Sequence, residues 1–268
     1  MRLCGKVAVV TGAGSGIGRA LADSLAERGC RLALVDIREE GLDETVGRLP
    51  AGTVASRYVA DVADPDAVAH LPARVLADHD GVDLLINNAG VALGGNFEKL
   101  DPVDFEWLFS INFWGVTRMT RAFLPLLKER PEALIVNMSS VFGLVAPPGQ
   151  SAYAASKFAV RGFSEALRHE LRETGVRVCL AHPGGVATSI ADNARVAKDL
   201  DEEALAKGRE AIRSMLKMPP AQAAEAIVRG IEARRARILV GRDARVAAWL
   251  ERLFPTTHWN LIQRAMIR

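Results

Sequence analysis

Cysteine is scarce in this chain. Cys4, Cys30 and Cys179 are the only three, each among apolar neighbours and none at a metal-site spacing. An odd, scattered set gives no disulfide framework, so these residues are expected as small buried hydrophobes of a reducing compartment. Long apolar runs are missing too. No stretch approaches the ~20 apolar residues of a membrane span. The opening MRLCGKVAVV runs into a predicted strand without an apolar core and cleavage site, so no secretory signal is expected. Charge of one sign is not in excess: 34 Lys and Arg stand against 32 Asp and Glu, interspersed, for a net +2. That balance argues against a nucleic-acid partner or an acidic substrate. His70, His79, His169, His182 and His258 show no ligand spacing, and no metal is expected. Internal repeats and low-complexity linkers are also lacking. A cytoplasmic, soluble, single domain over residues 1–268 is the expectation, and a 49% hydrophobic content suits one large core.

What is present is an alternation. Short β-branched runs occur at Val7–Val10, Arg31–Val35, Val54–Val59, Leu84–Ile86, Leu134–Asn137, Val176–Ala181 and Arg237–Val240. Amphipathic stretches at about residues 17–28, 39–48, 64–79, 102–128, 152–173 and 220–233 lie between them. Strand–helix alternation predicts an α/β fold, a doubly wound parallel sheet of about seven strands with helices on both faces. Continuous apolar strands such as VAVV and LLIN fit a sheet buried on both sides. Two regions break the rhythm. Residues 189–218 read as a polar, helix-prone insertion. Residues 244–268 read as a tail carrying Trp249, Phe254, Trp259 and Met266, which packs on the core, covers a partner subunit or rests on a membrane.

The chemistry begins with Tyr153 and Lys157 in SAYAASKFAV, one helical turn apart, and Ser140 thirteen positions upstream of the tyrosine. Positions i and i+4 share a helix face, so the ammonium can approach the phenol. A free tyrosine titrates near ~10. A positive charge about 4 Å away contributes on the order of 4 kcal/mol at an effective dielectric near 20, or roughly 3 pKa units. The phenol would then fall to about 7, where a general acid/base works best. A solvated surface pair is the alternative reading of such a tyrosine and lysine.

Other motifs gather at predicted strand ends. Thr11-Gly12-Ala13-Gly14-Ser15-Gly16-Ile17-Gly18 follows the first strand and opens the first helix. Glycines there tighten the turn and admit a pyrophosphate, which the helix N-terminus attracts. Asp36 ends the second strand, at the offset expected of an acid on the adenosine ribose. Such a carboxylate accepts from the ribose hydroxyls and repels a 2′-phosphate, favouring NAD(H) over NADP(H). Arg38, two positions on, weakens that preference, and Asp36 as a cap of the next helix is the competing reading. Asp61-Val62 would seat an adenine, or Asp61 would cap a loop. Asn87-Asn88-Ala89-Gly90, Ser139-Ser140 and His182-Pro183-Gly184-Gly185-Val186-Ala187-Thr188 end the following strands. In a doubly wound sheet the strand carboxyl ends line one crevice, so these clusters predict one site.

With TGAGSGIG, NNAG, Asn112, Ser140 and YAASK in this order, the chain resembles the short-chain dehydrogenase/reductase family, in its compact subclass. The match runs from Lys6 to about Thr188, and the last strand continues it to about Gly241. The resemblance implies a Rossmann-type fold and an NAD(H)-dependent oxidoreductase. Tyr153 would be the general acid/base and Lys157 would lower its pKa and bind the nicotinamide ribose. Ser140 would hydrogen-bond the substrate oxygen, and Asn112 would hold a water joining Lys157 to solvent. Thr188 and Val186 would orient the nicotinamide, and Asn88, Ala89 and Gly90 would line the riboses. The resemblance also implies a homodimer or homotetramer built on the long helices, with Phe105, Leu108, Phe109, Phe163 and Leu167 as contacts or as monomer core.

The substrate would be a medium-sized, partly apolar secondary alcohol or ketone. Val141, Phe142, Leu144, Val145, Leu93 and Phe97 would line its pocket, with Met215, Leu216 and Met218 as a lid or as ordinary packing. A serine hydrolase is a poor reading, because Ser140 lacks the G-x-S-x-G elbow. A regulatory NADH sensor without robust turnover is the alternative from another class.

Overall fold

The computed structural model describes residues 1–197, 210 and 213–266, with the side chains of 265 and 266 left undescribed. Seven strands form one parallel sheet: β1 (Val7–Thr11), β2 (Arg31–Asp36), β3 (Ala55–Val59), β4 (Leu84–Asn87), β6 (Ala133–Met138), β7 (Val176–Pro183) and β9 (Arg237–Val240). A two-residue pair, β5 (Leu93–Gly94) with β8 (Arg195–Val196), stands apart. The order β3-β2-β1-β4-β6-β7-β9 reverses direction of growth between β1 and β4. That reversal is the topological switch point, where a crevice opens at the strand carboxyl ends.

The sheet is buried on both faces, which explains why β1, β4 and β6 read as continuous apolar runs. On one face α1 (Gly16–Ala26), α2 (Glu39–Val46) and α7 (Pro220–Glu232) pack over Val10, Leu34 and Ile86. On the other, α3 (Pro65–Asp78), α5 (Val116–Lys128) and α6 (Ser151–Glu170) pack over Val9, Leu85 and Ile135. Local chemistry sets the helix starts. Asp64 accepts from Asp66 N and Ala67 N at 2.9 and 3.2 Å, and Pro65 occupies the first turn of α3. Asp101 does the same for α4 (Pro102–Phe109), accepting from Val103 N at 2.9 Å.

The stretch expected as one helix over 102–128 is three pieces. A wide π-turn over Ser110–Gly115 separates α4 from α5. Both amide ends of Asn112 are pulled to the Val91 backbone, which opens the helical ladder there. Most of the insertion, 198–209 and 211–212, lies outside the described residues. Its N-terminal leg is held by β8, and its C-terminal leg by a bridge between Val186 and Met218. Met218 therefore packs as structure rather than as a lid. The tail forms α8 (Arg242–Leu253) and α9 (His258–Met266). Ala247 and Ile262 pack on Leu144 and Val145, so the tail docks on its own chain. The same contact removes Leu144 and Val145 from the expected pocket lining. Leu108 and Leu167 are buried within the chain and are not available as subunit contacts.

Candidate active site

The site is assembled where β6 hands over to a turn. Ser139 donates from its Oγ to the Lys157 carbonyl at 3.0 Å, tying the strand end to α6. Ser140 lies one residue past that, beyond the last strand residue, and its Oγ accepts from Phe142 N at 3.1 Å. The 3-10 turn Val141–Gly143 that follows fits only because Gly143 has no side chain, since a Cβ would strike Ser139 Oγ. Tyr153 comes down from α6, half-buried, and the Ser140 side chain lies close enough to its phenol to favour the phenolate. Its ring meets Phe142 edge-on at 6.2 Å.

Lys157 is only 4% exposed, its Nζ donates to the Met138 carbonyl at 3.1 Å, and it stands 5.6 Å from the Tyr153 ring centroid. Burial pulls the ammonium down to about 8. Burial also pushes the phenol above its ordinary value, and the neighbouring Ser140 hydroxyl opposes this. The expected drop of the phenol toward neutrality is therefore not a property of the polypeptide alone. The amine is directed at a carbonyl and lies over the ring, so desolvation outweighs its attraction for a phenolate.

Asn112 is buried, with Oδ1 accepting from Val91 N at 2.9 Å and Nδ2 donating to Val91 O at 3.0 Å and Ser156 Oγ at 3.2 Å. A Cβ on Gly90 would lie 3.2 Å from Asn112 Oδ1 and 3.4 Å from Lys157 Nζ. Gly90, Asn112 and Lys157 thus share one small space. The amide of Asn112 has no free hydrogen, and its oxygen keeps one acceptor site.

The glycine turn lies along the same rim. Gly12 and Gly16 have φ of +65° and +53°, conformations that disfavour a side chain. Ser15 stands at the N-cap of α1 without a side-chain hydrogen bond, and the first-turn N–H groups of Gly16, Ile17 and Gly18 have no acceptor among the described residues. Asn88 clamps the turn, donating from Nδ2 to the Thr11 and Gly12 carbonyls at 2.9 and 3.3 Å. Thr11 Oγ1 accepts from the N–H groups of Asn88 and Ala89, both at 3.0 Å. Thr188 faces the turn, 3.2 Å from where a Cβ on Gly16 would be.

Asp36 is buried at the end of β2, with Oδ2 accepting from Gly14 N at 2.8 Å and Oδ1 from Arg38 N at 3.0 Å. It makes a turn rather than a helix cap, for Arg38 is the N-cap of α2 and has no side-chain bond there. A carboxylate has about four acceptor sites, so two remain. A polar cavity of about 250 Å³ adjoins it, lined by Gly14, Ser15, Arg19, Arg38, Glu44 and Ser189 among others. Asp61 lies two residues beyond β3, where its Oδ1 accepts from Ala63 N at 2.8 Å; it shapes a loop. Val62 packs into the π-turn against Gly115. Pro183 closes β7, Gly184 N donates to Val240 O at 3.0 Å, and Gly185 N to Asp243 at 2.7 Å. Val186 is buried beside Met218.

Several contacts of this framework went unread in the sequence, although Asn87 and His182 stood in its strand-end clusters. Ser156 fixes Asn112. Arg19 spans to Glu44 at 2.6 Å and Thr45 at 3.1 Å beneath the glycine turn. Asn87, Asn137 and Ser164 form a buried chain behind the site, with bonds of 2.8 and 2.9 Å. His182 Nδ1 lies 2.9 Å from the Ser140 carbonyl oxygen. The available signal was a polar residue inside an otherwise apolar strand.

Fold and rim together define a Rossmann-type α/β protein with one cleft at the strand carboxyl ends. A family model described as short chain dehydrogenase matches residues 6–199. SadH of Mycobacterium tuberculosis is 44% identical over 261 residues, which cover 96% of this chain and 94% of that protein. A short-chain dehydrogenase/reductase from Burkholderia phymatum, solved in complex with NAD, superposes with a TM-score of 0.85 at 34% identity, covering 94% of this chain and 95% of that one. A 3-ketoacyl-(acyl-carrier-protein) reductase from Brucella melitensis, solved with NADH, gives a TM-score of 0.75 at 29% identity, covering 87% and 94%. The chain belongs to the short-chain dehydrogenase/reductase family of oxidoreductases.

Proposed function

We propose that this chain transfers a hydride between NAD(H) and a secondary alcohol or ketone, with Tyr153 as general acid/base. One observation carries the reading: Tyr153 beside Ser140, buried Lys157 and the uncapped N-terminus of α1 share one rim. The residues fit a dinucleotide. Three N–H groups without acceptors at the glycine turn suit a pyrophosphate, and Asp36 retains acceptor sites for ribose hydroxyls. Asp36 would also repel a 2′-phosphate, which favours NAD over NADP, with Arg38 the nearest residue to soften that preference. The solved relative that holds NAD supports the same choice.

When bound, the nicotinamide supplies the hydride chemistry. The chain does the rest. Ser140 fixes the substrate oxygen, and Tyr153 exchanges a proton with it. Lys157 stabilises the phenolate and binds the nicotinamide ribose. Asn112 is read as holding a water on its remaining acceptor site, linking Lys157 to solvent. Gly12, Gly14, Ser15, Gly16, Ile17 and Gly18 bind the pyrophosphate side. Asp61, Val62, Asn88, Ala89 and Gly90 line the adenosine and ribose side. Pro183, Gly184, Val186 and Thr188 seat the nicotinamide.

The test is Tyr153→Phe. Turnover of a secondary-alcohol panel should fall by at least about a thousandfold, the upper part of the range for a positioned acid/base, while NADH binding by fluorescence titration stays near wild type. Retained turnover defeats the mechanism. Tight NADH binding with no turnover of any alcohol or ketone, in the wild type, would favour a sensor. We also infer a homodimer or homotetramer, supported by the exposure of Trp114 and Phe158 on the π-turn and α6.

A further inference from the structure

We propose that α8 is an interfacial helix that docks the protein on an anionic lipid surface. Val246, Trp249 and Leu253 recur at spacings of three and four, so they form one stripe along α8, and all are exposed, Trp249 at 59%. Phe254 extends the stripe at the helix end. The inner face is different: Ala244 and Ala247 are buried and pack the helix onto its own chain.

Charge is sorted the same way. The two acids of α8 are used on the protein side, Asp243 accepting from Gly185 N at 2.7 Å and Glu251 pairing with Arg161 at 3.5 Å. Arg242, Arg245 and Arg252 are exposed and make no ion pair among the described residues. Arg245 and Arg252 lie seven apart, on one flank of the apolar stripe. The outward face therefore offers an apolar stripe beside arginines without an ion-pair partner among the described residues, the pattern of a helix lying in a headgroup layer. A second copy of the chain fits less well. A two-fold contact places a patch on itself, which would set arginine against arginine. No helix among the described residues is long and apolar enough to cross a membrane, so the mode is surface binding.

The docked helix adjoins the candidate site. Its inner face touches Val145, just past the turn that begins at Ser140, and Asp243 holds the loop after β7. A substrate partitioned into lipid would then enter beside the surface where it is concentrated.

Flotation of the full chain with phosphatidylcholine vesicles, with and without phosphatidylglycerol, tests this. The protein should float with the anionic vesicles and stay behind with the neutral ones. Each arginine near such a surface is worth about fivefold in partitioning, so Arg245→Glu with Arg252→Glu should lower it by on the order of several hundredfold. Trp249→Ala with Leu253→Ala should also release the protein, and unchanged thermal melting would confirm that both variants are folded. Absence of flotation, equal flotation with neutral vesicles, or indifference to both double variants overturns the proposal. So does light scattering in which the Trp249 and Leu253 variant forms a smaller assembly than the wild type, since the face would then be a self-interface.

Discussion

His182 shows how burial decides chemistry one residue at a time. It is fully buried in β7, Nδ1 faces the Ser140 carbonyl oxygen, and Nε2 has no partner among the described residues. Burial holds the imidazole down to about 4, against an ordinary 6.5. The unfolded chain therefore takes up a proton below 6.5 that the folded chain refuses until about 4. Stability from this group is complete above 6.5 and is lost as the pH falls through that window, by about 3 kcal/mol in all. His182→Gln should lose much less stability than wild type between pH 7 and pH 4.5, read by urea denaturation at the two pH values. An equal loss in both would remove His182 from the account. His79, also held below its usual value by burial, contributes in the same direction and is common to both proteins. Ser140, Tyr153, Lys157 and Asp36 were legible because their chemistry is unusual at strand ends and on a helix face. The tuning of the phenol was not, because the sequence gives the i,i+4 spacing but not the Met138 carbonyl that takes the ammonium. His182 was legible as part of a strand-end cluster, but its partner was not, for a related reason: it is a main-chain oxygen, which no motif displays.

Elements were legible in kind and less so in extent. All seven strands of the main sheet were anticipated, since β-branched runs between amphipathic stretches leave few alternatives. The segment 102–128 is apolar and helix-forming throughout, so nothing in its periodicity marks the π-turn. The turn arises from tertiary pairing of Asn112 with Val91. Asn112→Ala should leave Val91 N unpaired in a part-buried place, at a cost of about 1 kcal/mol. It should also weaken NADH binding, because Gly90 and Lys157 share that space. A thermal melt with an NADH titration checks both, and an unchanged variant would argue against the turn as a support. At the opposite end of the sheet, Asp83 joins three elements. It bonds Val7 N and Lys6 Nζ, both at 2.9 Å, and Arg130 Nε at 3.0 Å. Burial pushes its carboxyl up, but Arg130 and Lys6 together hold it below the usual range. Lys6 and Arg130 are partly exposed and can turn to solvent, but Val7 N would be left buried without its acceptor, so Asp83→Ala should lose about 2 kcal/mol of stability in urea denaturation. Its effect on NADH affinity at the far rim should be small.

For the whole molecule, strand order does the main work. The reversal between β1 and β4 opens the rim, and every motif at a strand carboxyl end falls along it, whatever its distance in sequence. The sequence carried that convergence because glycines, asparagines and serines are conspicuous at the ends of apolar runs. It did not carry the packing of the tail, whose buried alanines and exposed tryptophan read alike until the helix is oriented. The central claim, that Tyr153 is the proton-exchanging group, has a direct test that needs no substrate. The chain contains two tyrosines. Tyr58 donates to Asp78 at 2.6 Å, and burial with that bond pushes it far above its ordinary value. Tyrosinate absorbance against pH therefore reports Tyr153. Without nucleotide its midpoint should lie above the ordinary 10, because burial dominates. Saturating NAD, which places a cationic ring beside the phenol and engages Lys157, should move the midpoint down by at least about one unit, the scale of a nearby opposite charge. NADH should move it less, and Tyr153→Phe should abolish the transition. A midpoint that NAD leaves in place, or a transition that survives Tyr153→Phe, contradicts the account.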